Sequence, residues 1–136
     1  MDFKKMAEYR NTHNPYVQRQ GVIVEEIGSG YARVTKTVTP EDANPLGVPH
    51  GGVYFTMADT ACGSAMASYG YKAVTMDASY HFFRSANTGD HLMAEATEIK
   101  HGKTVCVFEV RITGSDGTLL GTGVFTFYQL PEKLEI

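Results

Sequence analysis

The chain has 136 residues, the size of one domain, and is read as a single domain over 1–136. With 43% apolar and 20% charged residues it has material for a core, which excludes a disordered chain. A net charge of −3 leaves no basic excess for a nucleic-acid partner.

The opening MDFKKMAEYR lacks the apolar centre of a secretory signal. A short N-terminal helix is expected within 1–12, ending before Asn14-Pro15. From Val17 the pattern turns to strands. A run over 21–27 meets Gly28-Ser29-Gly30, and 31–38 then alternates, which predicts a hairpin. Residues 43–71 carry one formal charge, Asp59, where the chain average of 20% would give about six. Within them, 44–49 is a loop by its Pro and Gly content. Gly51–Tyr69 has the length of a helix of about five turns, with Gly70 placed to stop it. That helix is apolar almost all round and is expected to be buried on most sides. Its small residues allow a sheet to wrap closely. Strands are expected over 74–83, 91–99, 104–113 and 118–128, with turns at 87–90, 101–103 and 114–117. The sum is α+β: a curved antiparallel sheet, largely of hairpins, around one long helix. No run reaches the ~18–20 apolar residues of a membrane span. The expectation is a cytoplasmic protein without a membrane partner.

Several motifs fail. Gly102-Lys103-Thr104 resembles the end of a phosphate loop, but Thr97 stands where the leading Gly belongs and a strand follows. No dinucleotide fingerprint or nucleophile elbow is complete. Two cysteines, Cys62 and Cys106, form no CxxC pair, and no HxxxH occurs among five histidines, so no metal site is expected. His13, His91 and His101 read as loop or solvated residues, and Cys62 as a small buried hydrophobe.

Three features remain. Asp59 stands alone in an apolar helix, where an unpaired carboxylate costs several kcal/mol; it is a functional group, or it reaches a solvated edge or caps a strand. His50-Gly51-Gly52 opens the helix, where free N–H groups can polarise a carbonyl; the same pair of glycines also suits a tight turn. Asn44 offers an amide in the preceding loop, or serves as an ordinary turn residue.

Taken together, Asn44, Leu46-Gly47, His50-Gly51-Gly52, Ala58-Asp59, Val74-Thr75-Met76-Asp77 and Gly89-Asp90 resemble the hotdog-fold acyl-CoA thioesterases of the phenylacetate-degradation (PaaI-like) type. The resemblance runs from about Val17 to Tyr128. It implies the hotdog fold and hydrolysis of an acyl-CoA to free acid and coenzyme A. It implies Asp59 as nucleophile or general base and the Gly51 N–H as oxyanion donor. Asn44 and His50 would position the thioester or water, and Thr75 would aid the attacking water. Relatives often carry Ser at the Thr75 position; Thr keeps the hydroxyl and adds a methyl. No metal or redox cofactor is implied, since coenzyme A enters with the substrate.

Spacing adds an independent point. Gly51 and Asp59 lie eight residues apart, roughly 12 Å along one helix, too far for both to act on one thioester within a chain. A two-fold dimer with antiparallel helices would make two composite sites; relatives commonly pair such dimers into tetramers. The homodimer is therefore the expected minimal unit and the homotetramer the expected assembly. Gly52, Phe82, Phe83 and Arg84 are expected to bind substrate. Tyr54, Phe55, Met57, Met66 and Tyr80 are further pocket candidates that read equally well as core. Arg84 is the first candidate for the phosphates, ahead of Lys72, Lys100 and Lys103. The rivals are a hotdog enoyl-CoA hydratase, for which His50 and Asp59 are poorly paired, and a non-catalytic acyl-CoA binding module.

Overall fold

In the computed structural model, which describes Met1–Ile136, the chain opens with helix α1 (Phe3–Thr12). The Asp2 side chain caps it by accepting from the Lys5 N–H. Strand pairing does not start at Val17, because Asn14-Pro15 begins a second short helix, α2 (Pro15–Arg19). Asn14 is its N-cap and Pro15 occupies the first turn, where a missing N–H costs nothing. The expected hairpin follows as β1 (Ile23–Gly28) and β2 (Tyr31–Thr37). A single 3-10 turn (Pro40–Asp42) and a loop lead into helix α3 (Gly51–Ala67). Gly70, at φ +86°, takes the left-handed conformation that turns the chain after it. Then come β3 (Tyr71–Phe82), β4 (His91–His101), β5 (Val105–Thr113) and β6 (Leu119–Lys133).

The six strands form one antiparallel sheet in the order β1-β2-β4-β5-β6-β3. Only β1–β2, β4–β5 and β5–β6 are sequential neighbours. β3 pairs with β6, so the chain crosses from one edge of the sheet to its middle between β3 and β4. The sheet curls around α3. Ala58, Ala61, Cys62 and Ala65 are fully enclosed and let the strands approach the helix axis. Phe108, Phe125, Leu92 and Ile112 pack over them from the sheet.

The two sheet edges are treated differently. At β1 the Asn11 side chain accepts from the Val24 N–H (2.8 Å) and donates to the Val24 carbonyl (2.9 Å). Helix α1 thereby blunts that edge. At β3 nothing covers the outer edge, and Val74, Met76, Phe82 and Phe83 are all exposed there or just beyond it. A bare, apolar, 12-residue edge is a template for pairing with another strand.

Candidate active site

The helix start is built by a braced loop. Lys36, on β2, is buried and pairs with Asp42 at 3.1 Å, while also donating to the Gln20 carbonyl. The Asp42 carbonyl in turn accepts from the His50 N–H at 2.8 Å. Between them, the Asn44 side-chain oxygen accepts from the Leu46 N–H (2.9 Å) and the Val48 N–H (3.4 Å). Asn44 is thus a turn organiser through its oxygen, and its NH2 group makes no hydrogen bond within the chain.

His50 is the N-cap of α3: its Nδ1 accepts from the Gly52 N–H at 2.8 Å. A neutral His50 ring therefore carries its proton on Nε2. A Cβ at residue 52 would lie 3.0 Å from Nδ1, so glycine gives this cap its room. With the Gly52 N–H taken, the Gly51 N–H is the free donor at the positive end of the helix. The Phe82 ring lies 3.5 Å from where a Gly51 Cβ would stand, so Phe82 walls this donor.

Two turns further along α3, Asp59 is half-buried and not enclosed. The helix is buried on most sides, as its sequence implies, except for Gly51, Gly52, Phe55, Thr56, Asp59 and Gly63. Thr75 on β3 donates from Oγ1 to Asp59 Oδ1 at 2.8 Å. Both residues open into a cavity of about 530 Å³ between α3, the ends of β3 and β6, and the N-terminal helices. Phe127, Leu130 and Leu134 supply apolar wall.

The same cavity holds Arg10, from α1, a residue that sequence reasoning passes over. Arg10 Nε donates to the Ser64 Oγ at 2.9 Å, and Ser64 is fully buried. Burial lowers the Arg10 pKa, and the nearby Asp59 charge partly offsets this. Gly63 makes room for the guanidinium, which lies 3.4 Å from where a Cβ there would be. The contact spans 54 residues, so no local spacing could reveal it.

Within the chain the candidate residues fall into two separate groups. Asn44, His50, Gly51, Gly52 and Phe82 gather at the start of α3, and Asp59 and Thr75 gather farther along it. Phe83 and Arg84 follow β3 on the Phe82 side, both exposed, with the N–H of each donating to the Leu120 carbonyl. Arg84 borders a separate cavity with Asp90 and Asp116. Of the apolar candidates, Tyr54 and Met57 are core residues; the Tyr54 hydroxyl accepts from the Ala86 N–H at 2.9 Å. Met66 lines the Asp59 cavity. No three His, Cys, Asp or Glu side chains converge, and no helix is long and apolar enough to cross a membrane.

Residues 46–120 match the model of the Thioesterase superfamily. The chain is 33% identical over 109 residues to the acyl-coenzyme A thioesterase PaaI of Escherichia coli, covering 76% of this chain and 78% of that one. Its fold superimposes on the structure of the E. coli PaaI protein from the phenylacetic acid degradation operon with a TM-score of 0.92 and 26% identity. That match covers 97% of this chain and 96% of the other. It also matches the Streptococcus mutans protein smu.793, solved bound to acetyl CoA, with a TM-score of 0.78, 27% identity, and coverage of 82% and 90%. The chain thus belongs to the Thioesterase superfamily, as a thioester hydrolase of the PaaI-like type with the hotdog fold.

Proposed function

We propose that the protein hydrolyses acyl-CoA thioesters at sites shared between two protomers. The observation that carries this reading is the placement of a free Gly51 N–H and the Thr75-bonded Asp59 on one uncovered side of α3, two turns apart. Neither group alone can both hold an oxyanion and deliver a nucleophile. An antiparallel partner helix crossing near Phe55, midway between Gly51 and Asp59, would bring the Gly51 of one protomer to the Asp59 of the other. Pairing of the bare β3 edges about an axis near Ala78 and Ser79 would likewise set Phe82 opposite the partner's Thr75. The acetyl CoA held by smu.793 supports a coenzyme A ester as substrate.

In this arrangement the thioester oxygen accepts from the Gly51 N–H and the Asn44 NH2 lies in the same loop. Asp59 acts either as general base or as nucleophile. As base, its free Oδ2 takes a proton from water, whose oxygen attacks the thioester carbon. The tetrahedral oxyanion collapses, the C–S bond breaks, and the sulfur leaves with the proton from Asp59. As nucleophile, the carboxylate attacks the carbon and the C–S bond breaks, giving a mixed anhydride and the coenzyme A thiolate; water then cleaves the anhydride to free acid and carboxylate, and its remaining proton goes to the thiolate. Thr75 fixes Oδ1 in either case. Coenzyme A enters as part of the substrate and leaves as free thiol.

The test is thiol release across aryl-acetyl, benzoyl and C2–C16 acyl-CoA substrates, with product analysis. Free thiol with free acid supports the reading. A 3-hydroxyacyl thioester made from an enoyl-CoA would replace it with hydration, and tight binding without turnover would replace it with an acyl-CoA binding module.

A further inference from the structure

Arg10 brings a cation into the cavity that holds Asp59 and Thr75. Its guanidinium has five N–H donors. One, on Nε, is used by Ser64; the other four find no acceptor in the chain. No carboxylate lies within 4.0 Å of it. Asp59 is close enough to be felt electrostatically but does not form an ion pair with it. Desolvation already lowers the Arg10 pKa, yet a guanidinium stays charged at any physiological pH. Arg10 is half-buried, so it is only partly desolvated; with no carboxylate paired to it, a bound anion would still improve its environment. A neutral acceptor would supply only a dipole. A carboxylate supplies the charge and matches the planar fork of the Nη groups.

Position sets the length of the group that would reach it. Arg10 lies against Gly63 and Ser64, about one turn and roughly 6–7.5 Å along α3 from Asp59. An acyl carbonyl placed for attack at Asp59 would need a chain of roughly four to six carbons to bring a terminal carboxylate to Arg10. Phe127, Leu130 and Leu134 would flank the methylenes. The turn between Arg10 and Asp59 keeps the two carboxylates apart.

Resting on the thioesterase reading above, we propose that this cavity is the acyl pocket and that Arg10 selects acyl groups ending in a carboxylate, the monothioesters of short dicarboxylic acids.

The experiment compares glutaryl-CoA with pentanoyl-CoA, which have equal carbon counts and differ in the terminal charge. The wild type should favour glutaryl-CoA in kcat/KM by about tenfold or more, the scale of one charge-assisted hydrogen-bonding contact. Arg10→Met should lose that preference, bringing the ratio of kcat/KM for glutaryl-CoA over pentanoyl-CoA down to near one, and Arg10→Lys should recover part of it. Binding of the non-hydrolysable thioethers 4-carboxybutyl-CoA and pentyl-CoA, followed by calorimetry, reads the same preference without turnover. If no thioester is cleaved but the carboxylated thioether binds tighter in an Arg10-dependent way, hydrolysis fails and the pocket assignment stands. A wild type that prefers the pentyl forms in both assays overturns the pocket assignment, whether or not Arg10→Met folds. Equal losses by Arg10→Met on both esters also overturn it, since Arg10 would then act only by anchoring α1.

Discussion

Thr75 Oγ1 donates a 2.8 Å hydrogen bond to Asp59 Oδ1 across the gap between β3 and α3. The bond orients one carboxylate oxygen and leaves the other open to the cavity. Asp59→Asn should preserve the fold and lower kcat by at least ~10²-fold, the lower end for a lost acid–base group. Thr75→Ala should cost less, since water can replace the donor, and Thr75→Ser should retain most activity. Thiol release measures all three. Asp59→Asn activity within threefold of wild type would remove Asp59 from the mechanism.

The proposed sharing of the site between two chains predicts complementation. Asp59→Asn chains cannot attack, and Asn44→Ala chains have a weakened oxyanion loop. A mixed dimer contains one site with both defects and one with neither. Random exchange should therefore restore about a quarter of wild-type activity per chain, on a two-fold geometry. Subunit exchange confirmed by mass spectrometry without recovered activity would place the whole site within one chain.

The buried Lys36–Asp42 pair ties β2 to the loop before α3, and the Asp42 carbonyl holds the His50 N–H. Removing one partner leaves an uncompensated charge. Lys36→Met should lower stability by about 3 kcal/mol, the usual scale for breaking a buried pair, and should also lower kcat by loosening the Asn44–Gly51 loop. Urea denaturation and thiol release test the two effects separately. A stability loss with unchanged kcat would show that the loop holds its shape without the pair.

Much of this architecture is legible in the sequence because its signals are local. The Gly28–Gly30 and Gly114–Gly117 turns, the charge-poor α3 and its glycine-rich start all follow from residues close together in the chain. Non-local choices are not. Alternation marks β3 as a strand but does not say that it pairs with β6 and skips β4. Asn14-Pro15 is ambiguous, since the same two residues can end one helix or begin another. Tyr54 and Met57 look like pocket residues until the sheet closes over them. Arg10 gives no sign at all, because Ser64 becomes its neighbour only when α1 docks on α3.

Burial, and then the charge of Asp59, pushes the Cys62 thiol well above its ordinary value. The folded protein keeps this thiol protonated, whereas the unfolded chain releases the proton above pH ~8.5. Above that pH the unfolded state binds fewer protons, so stability falls as pH rises. The stability contribution is complete below about pH 8.5. Cys106 is raised as well and adds to the same slope. Urea midpoints should therefore decline between roughly pH 8.5 and 10, and Cys62→Ala should flatten part of that decline. An unchanged slope in Cys62→Ala would mean that Cys62 ionises as readily in the fold as out of it.

Arg84 tests where the coenzyme A end of the substrate goes. It stands just past β3, on the same side as Phe82 and the Gly51 donor, and it is exposed. The cations Arg10 and Lys72 line the Asp59 cavity, so a phosphate bound outside the Gly51 group needs a different partner. Arg84 has one competing use. The Asp116 carboxyl is held below its ordinary range chiefly by the Thr118 N–H, with a smaller pull from Arg84. An exposed phosphate contact binds ground and transition states alike, so its loss raises KM and leaves kcat alone. Arg84→Ala should raise KM for an acyl-CoA several-fold and leave KM for the matching acyl-pantetheine thioester unchanged. Asp116→Asn removes the competing acid and should leave the acyl-CoA KM unchanged or lower it. If Arg84→Ala affects both substrates equally, Arg84 acts through the β3–β4 connection and not through coenzyme A.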